Sequence, residues 1–227
     1  MGAEMLPFLL WRVKVKFEKK KIQFIYINNE YLKYLSAIEP ELQFDEDRNY
    51  EEKPHIGILI NNSGQKYVIP LTSAKEKHRN WADVSATWFR LYEIIDERTD
   101  TIRKDDVIVE IKNQDILRTI APKDMPYIKQ KILSVLDIRK MFPIIDGVYN
   151  LINIEINSSK SRDSNNKHHL LFKEYLFLLR IIKDIEEKAE KTYTKQVVAG
   201  KILKYHCNYK KLEMALEDYK KNNLFSK

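Results

Sequence analysis

The sequence predicts an α+β fold, with an antiparallel β-rich body followed by a helical C-terminal region. Three observations carry that expectation. His55–Ile60 and Lys66–Leu71 are short apolar runs separated by Asn61-Asn62-Ser63-Gly64, the turn chemistry of a β-hairpin. Leu171, Tyr175, Leu178, Ile182 and Ile185 recur at steps of three and four, as an amphipathic helix over His168–Lys191 requires. The 227 residues contain no internal repeat and are enough for one core, or one core with a helical appendage.

Taken in order, Met5–Trp11 is apolar but too short to span a bilayer, and Arg12 interrupts it without a small-residue cleavage site. Residues 1–20 are read as an N-terminal extension, and residues 21–227 as a single domain. Ile22–Ile27 is rich in aromatic and β-branched residues and predicts a strand. Asn28 or Asn29 can cap a short helix over Glu30–Ala37, and the acidic stretch Glu39–Glu52, with Pro40, predicts a loop. Pro70 cannot donate to a ladder, so it ends the second hairpin strand or lies on a sheet edge. Further strands are expected at Thr87–Ile95 and Val107–Ile111, a helix at Pro126–Leu136, and extended chain from Asp137 through Ile156. Polar Ser158–Lys167 predicts a linker. Helices are expected beyond it at His168–Lys191, Tyr193–Tyr205 and Tyr209–Lys221.

Charge is distributed unevenly. Residues 1–157 hold 24 Lys/Arg against 24 Asp/Glu, whereas residues 158–227 hold 16 against 9, so the net +7 lies in the last third. A basic segment suits phosphate contacts, because binding releases counterions; it equally suits a solvated helical surface. Cys207 is the only cysteine, which excludes an intrachain disulfide framework and fits a reducing cytoplasm. No Gly-rich phosphate loop, His-Glu-x-x-His, cysteine pair or grouped carboxylates is readable. Neither a metal site nor a cofactor therefore has sequence support.

The chemistry-bearing segment is Leu71-Thr72-Ser73-Ala74-Lys75-Glu76-Lys77-His78, directly after the hairpin. Cutting RNA without a metal needs a base for the 2′-hydroxyl, an acid for the leaving 5′-oxygen and cationic donors for the phosphorane. Thr72 and Lys75 can supply donors, and Ser73 can bond phosphate or relay a proton. His78 has the only side chain here whose ordinary pKa lies near neutrality. The same residues also fit a helix start, with Ser73 and Glu76 as a capping box. His55 is expected to be a structural strand residue.

Lys66 through Lys75, with His78 beyond, resembles the central motif of the ToxN/AbiQ family: a strand, then Pro70-Leu71-Thr72-Ser73, one residue, and Lys75. Further matches follow in order. Tyr26 with Asn29–Leu35 is similar to the opening strand and helix, and Tyr50 with Lys53–Ile58 to the approach to the second strand. Leu136–Ile144 is similar to a later strand, and Cys207–Glu213 with Tyr219 to a terminal helix. Asp100–Ser134 looks like an insertion. The resemblance implies a compact, strongly curved antiparallel sheet with packed helices, akin to the MazF/Kid toxins. It implies metal-independent cleavage of single-stranded RNA to 2′,3′-cyclic phosphate and 5′-hydroxyl ends. It assigns cleavage to Ser73 and scissile-phosphate contact to Thr72 and Lys75, with Tyr31, Tyr50 and Lys53 lining the pocket. It also implies neutralisation by a small repeat RNA, a pseudoknot, in a closed toxin–RNA assembly with no membrane partner. Lys195, Lys201 and Lys204 are read as phosphate-binding lysines on helix faces. Two other functions fit the same residues: an inert RNA-binding protein, and a MazF-like toxin neutralised by a protein.

Overall fold

One strand organises the molecule by changing neighbours along its length. The computed structural model describes residues 18–19, 22–42, 44, 54–60, 64–153 and 162–224. The chain runs through β1 (Glu18–Lys19), β2 (Phe24–Ile27), α1 (Asn29–Ile38) and β3 (His55–Ile60) to the organising strand, β4 (Lys66–Ser73). Then come β5 (Trp88–Asp96), β6 (Val107–Val109), the short α2 (Gln114–Leu117), β7 (Ile128–Asp137), β8 (Phe142–Ile144) and β9 (Tyr149–Leu151). Two helices follow, α3 (Arg162–Val197) and α4 (Tyr209–Leu224).

All named strand pairs are antiparallel. The path is β5-β7-β4-β3-β2-β9, with β1 on β3, β6 on β7 and β8 on β4. β3 covers one edge of β4 from Lys66 to Pro70. Along the other edge, Lys66–Val68 meets β8 and Leu71–Ser73 meets β7, with the 3-10 turn Ile138–Lys140 between them. Ser73 thus leaves the hairpin and finishes on a different neighbour.

Local chemistry explains the ends that the sequence predicts well. Asn28 Oδ1 accepts the Glu30 N–H at 2.7 Å and starts α1. Gly64, at φ +78°, supplies the left-handed residue before β4.

Four expectations are corrected. Pro126–Leu136 is not a helix: Ile128–Asp137 is the central strand β7, paired on both sides by β4, β5 and β6. Its last six residues are all buried, so the polar alternation that marks a strand is missing. Residues 100–134, which resemble an insertion, supply β6 and most of β7. Pro70 does not end its strand; Leu71–Ser73 continue it, and Pro70 sits where β4 changes partner. Finally, α3 is one 36-residue helix, absorbing the expected linker from Arg162 onward and the first part of Tyr193–Tyr205. Thr192, Tyr193 and Gln196 are buried and hold its last turns in register. Gly200 then adopts φ +66° and Lys201 N–H donates to Lys195 O at 3.1 Å, closing the helix so that residues 198–208 form a connection.

The core lies between sheet and helices. α3 contributes Leu171, Leu178, Ile185 and Ala189, α4 contributes Leu212 and Leu216, and α1 contributes Leu32 and Leu35. Each Leu or Ile so buried stabilises the fold by about 1.5–3 kcal/mol. Tyr67, Tyr193 and Tyr209 join sheet to helices, and Glu213 accepts hydrogen bonds from the first two hydroxyls. No described helix is long and apolar enough to cross a membrane.

Candidate active site

The strand switch places Thr72 and Ser73 at the mouth of a cleft. Ser73 lies directly across from Ser134 on β7, and Ala74 N–H donates to Leu133 O at 3.1 Å. The backbone is therefore held until it leaves the sheet. Lys75, in extended conformation, then begins a 3-10 turn, Glu76–His78. Ser73 is the last strand residue and Lys75 holds the cap position, so the capping-box reading of Ser73 fails. Ser73 and Lys75 are exposed and Thr72 is half-buried.

His78 is buried beneath this turn. Its Nδ1 accepts the Lys75 backbone N–H at 3.1 Å, and its ring meets Trp81 edge-on at 4.8 Å. Burial, reinforced by Lys77 and Lys75, pushes its pKa down to about 4. At neutral pH it is an uncharged imidazole whose acceptor nitrogen is already used. It is suited to shaping the turn rather than to transferring protons. Arg90, on β5, fastens the same segment: its Nη1 donates to the carbonyls of His78 and Arg79, both at 3.1 Å, and its Nε to Asp83 at 3.0 Å.

The cleft has a volume of about 780 Å³ and is bordered by Thr72, Ser73, Lys75, His78, Ser134 and Glu174, among others. Arg139 lies in its wall, gripped by Asp137 through two bonds of 2.7 Å and stacked on Trp88 at 5.0 Å. Lys140 and Lys167 add further cations. A second depression, about 700 Å³, shares Ser73, Lys167 and Leu170 with the first, so Ser73 stands on the ridge between them. Hydroxyls and ammonium groups around an accessible ridge fit a phosphodiester.

Residues 23–217 match the sequence profile of the toxin ToxN family of type III toxin–antitoxin systems. The chain belongs to that family. It is 24% identical over 212 residues to the endoribonuclease ToxN of Bacillus thuringiensis subsp. kurstaki, covering 90% of this chain and 88% of the relative. The fold is similar to that of AbiQ, a lactococcal anti-phage endoribonuclease of a type III system. There the TM-score is 0.61 at 20% identity, over 88% of this chain and 99% of the other. A second similar structure comes from work on toxin inhibition by a non-coding RNA pseudoknot in bacterial type III systems. Its TM-score is 0.57 at 22% identity, covering 88% of this chain and 99% of that one.

Within this ToxN-family chain, Thr72, Ser73, Lys75 and His78 come together on the cleft. Tyr31 does not. It is fully buried, and its hydroxyl donates to Pro143 O at 2.8 Å while its ring meets Tyr219 at 4.9 Å. The pocket role is corrected to a core role, because α1 turns this side chain toward β8 and α4. Tyr50 and Lys53 lie outside the described residues. Lys195 is exposed in the last turn of α3, whereas Lys201 and Lys204 are exposed on the α3–α4 connection. They gather around a helix end rather than along a helix face. Lys204 lies 4.8 Å over the ring of Tyr205, which reaches the cleft from a backbone at φ +67°. Among the described residues, no three His, Cys, Asp or Glu side chains converge as a metal set.

Sequence reasoning missed Arg139, Lys140, Lys167, Tyr205 and Glu174. Only Glu174 leaves a readable signal: it is a carboxyl at core spacing between Leu171 and Leu178.

Proposed function

We propose that the chain is an endoribonuclease toxin that cuts single-stranded RNA without a metal ion, leaving 2′,3′-cyclic phosphate and 5′-hydroxyl ends. A small structured RNA, a pseudoknot in the related systems, holds it inactive in a closed toxin–RNA assembly. The observation that carries the reading is Thr72-Ser73-x-Lys75 at the end of β4, on the ridge of the cleft, in a chain of the ToxN family.

Each residue has a task. The Lys75 ammonium and Thr72 hydroxyl bind the non-bridging phosphate oxygens, where charge builds as the 2′-oxygen attacks. Ser73 touches the scissile nucleotide and takes part in the proton transfer. Lys75 also donates a proton to the departing 5′-oxygen. The donors are hydroxyls and an ammonium, which bind phosphate directly and need no bridging cation. Tyr205 and Lys204 offer a base-stacking face with a charge beside it at the cleft edge.

The test is Ser73→Ala. Cleavage of a short unstructured RNA is expected to fall at least about 100-fold, and growth arrest should be lost while the melting temperature holds. Wild-type cleavage should persist in excess chelator with its 2′,3′-cyclic product unchanged. A folded Ser73→Ala protein that still cuts RNA removes the assignment. Chelator-sensitive cleavage that a divalent ion restores removes the metal-free mechanism. A wild-type protein that binds RNA but never cuts it would instead be an inert RNA-binding protein.

A further inference from the structure

Glu174 occupies a place where the helix pattern calls for an apolar residue. Leu171 precedes it by three residues and Leu178 follows by four, and all three are almost fully buried on the side of α3 that faces the sheet. A carboxyl in that stripe is costly unless it is paired or used. The charged and titratable groups bordering the same cleft come from every side. Lys75, Lys77 and His78 follow β4, and His55 lies on β3. Asp137, Arg139 and Lys140 lie at the end of β7 and the turn after it; Glu41 lies after α1, and Lys167 on α3 itself. Burial pushes the Glu174 carboxyl up to about 7, and the Ser134 hydroxyl pulls the other way.

Ser134 is the link to the ridge. Its Oγ is buried without a well-formed hydrogen bond, and it sits directly across the ladder from Ser73. Residues opposite each other in an antiparallel pair put their side chains on one face, with Cβ atoms about 4.5–5.5 Å apart. The β5–β7 register also shifts between Leu91/Ser134 and Tyr92/Ile132, leaving a bulge at Leu133. A bulge re-aims the side chain beside it. Ser73, Ser134 and Glu174 therefore form a row of oxygens running from the exposed ridge into the wall.

We propose that Glu174 is the proton acceptor behind Ser73 in RNA cleavage, a positioning residue that acts through the serine hydroxyls. This rests on the ribonuclease reading above. The Ser73 hydroxyl takes the 2′-hydroxyl proton and passes its own inward, directly or through Ser134, to the Glu174 carboxylate. The 2′-oxygen forms its bond to phosphorus, and the bond from phosphorus to the 5′-oxygen breaks. That oxygen receives a proton from Lys75. Glu174 ends protonated and Lys75 neutral, and solvent exchanges the two protons before the next turnover.

Single-turnover cleavage of a short unstructured RNA, measured from pH 5.5 to 8.5, tests this. The wild-type rate should rise toward a plateau with a midpoint near 7. Glu174→Gln should lower the plateau about 100- to 1,000-fold and remove the rise. Glu174→Asp should keep the rise at a reduced rate. Both variants should bind a 2′-O-methyl RNA of the same sequence with wild-type affinity. Glu174→Gln cleaving within about 3-fold of wild type, or keeping the wild-type rise, overturns the proposal while leaving Ser73 in place. Loss of 2′-O-methyl RNA binding in both variants also overturns it, since Glu174 would then only shape the cleft. If Glu174→Gln does not fold, a wild-type rate flat between pH 6 and 8 is sufficient to overturn it. A wild-type protein that cuts no RNA removes the ribonuclease reading instead.

Discussion

Arg90→Ala probes how the segment after Ser73 is held. The Arg90 side chain is 3% exposed and its partner Asp83 is 23% exposed. Truncation removes the donors to the His78 and Arg79 carbonyls and both hydrogen bonds to Asp83. Breaking a buried charge pair from one side costs about 3–5 kcal/mol, since the remaining charge is left in a poor environment. Asp83 keeps the Gln130 amide at 2.6 Å and some access to water, so the lower end, about 3 kcal/mol, is expected here. For a chain of 150–250 residues, each kcal/mol shifts the melting temperature by about 2–4 °C, or roughly 6–12 °C in all. Arg90→Lys keeps the charge without the planar fork and should fall between wild type and Arg90→Ala. Cleavage should drop as well, because residues 75–83 keep the backbone bond from Arg90 N–H to Asp83 O at 2.7 Å but lose the side-chain bonds that fix the turn after Lys75. The measurements are thermal melts and single-turnover cleavage of the same RNA. A melt within 2 °C of wild type, or an undiminished cleavage rate, would refute the claim that Arg90 fastens this segment.

Two further outcomes follow from the structure. His78 is depressed to about 4 in the folded chain and returns to about 6.5 when unfolded. Its contribution is therefore complete above pH 6.5 and is lost as pH falls toward 4, where the unfolded state takes up the proton; a His78→Gln variant should lose less stability than wild type across that window in urea titrations. Replacing Lys195, Lys201 and Lys204 together by Gln should make the log–log salt dependence of antitoxin RNA binding shallower by roughly 2–3, at about 0.7–0.9 for each phosphate no longer neutralised. Identical slopes for the two proteins would mean that the lysines only solvate the end of α3.

What the sequence determined by itself is what local chemistry encodes. Asn28 caps α1 with its own side chain, Gly64 supplies a backbone angle that other residues resist, and Tyr209 onward carries enough helical pattern to be read alone. The Thr72-Ser73-x-Lys75 segment stands out only through its resemblance to the family's motif, because its residue types alone fit a helix start as well as a phosphate site. Tertiary structure decided the rest. β7 was read as a helix because strands on both edges and buried faces erase the alternation that identifies a strand. The burial of Thr192, Tyr193 and Gln196 against the core, not their weak local preference, carries α3 to Val197. The family resemblance puts Tyr31 in the pocket and the fold puts it in the core, since the orientation of α1 against β8 and α4 sets its exposure. Glu174 lies far along the chain from Ser73, and only the pairing of β4 with β7, with α3 packed across them, brings its carboxyl to the serine ridge. Spacing along the chain encodes turns, caps and motifs, whereas the neighbours that alter a group's protonation are chosen by packing between elements distant in sequence.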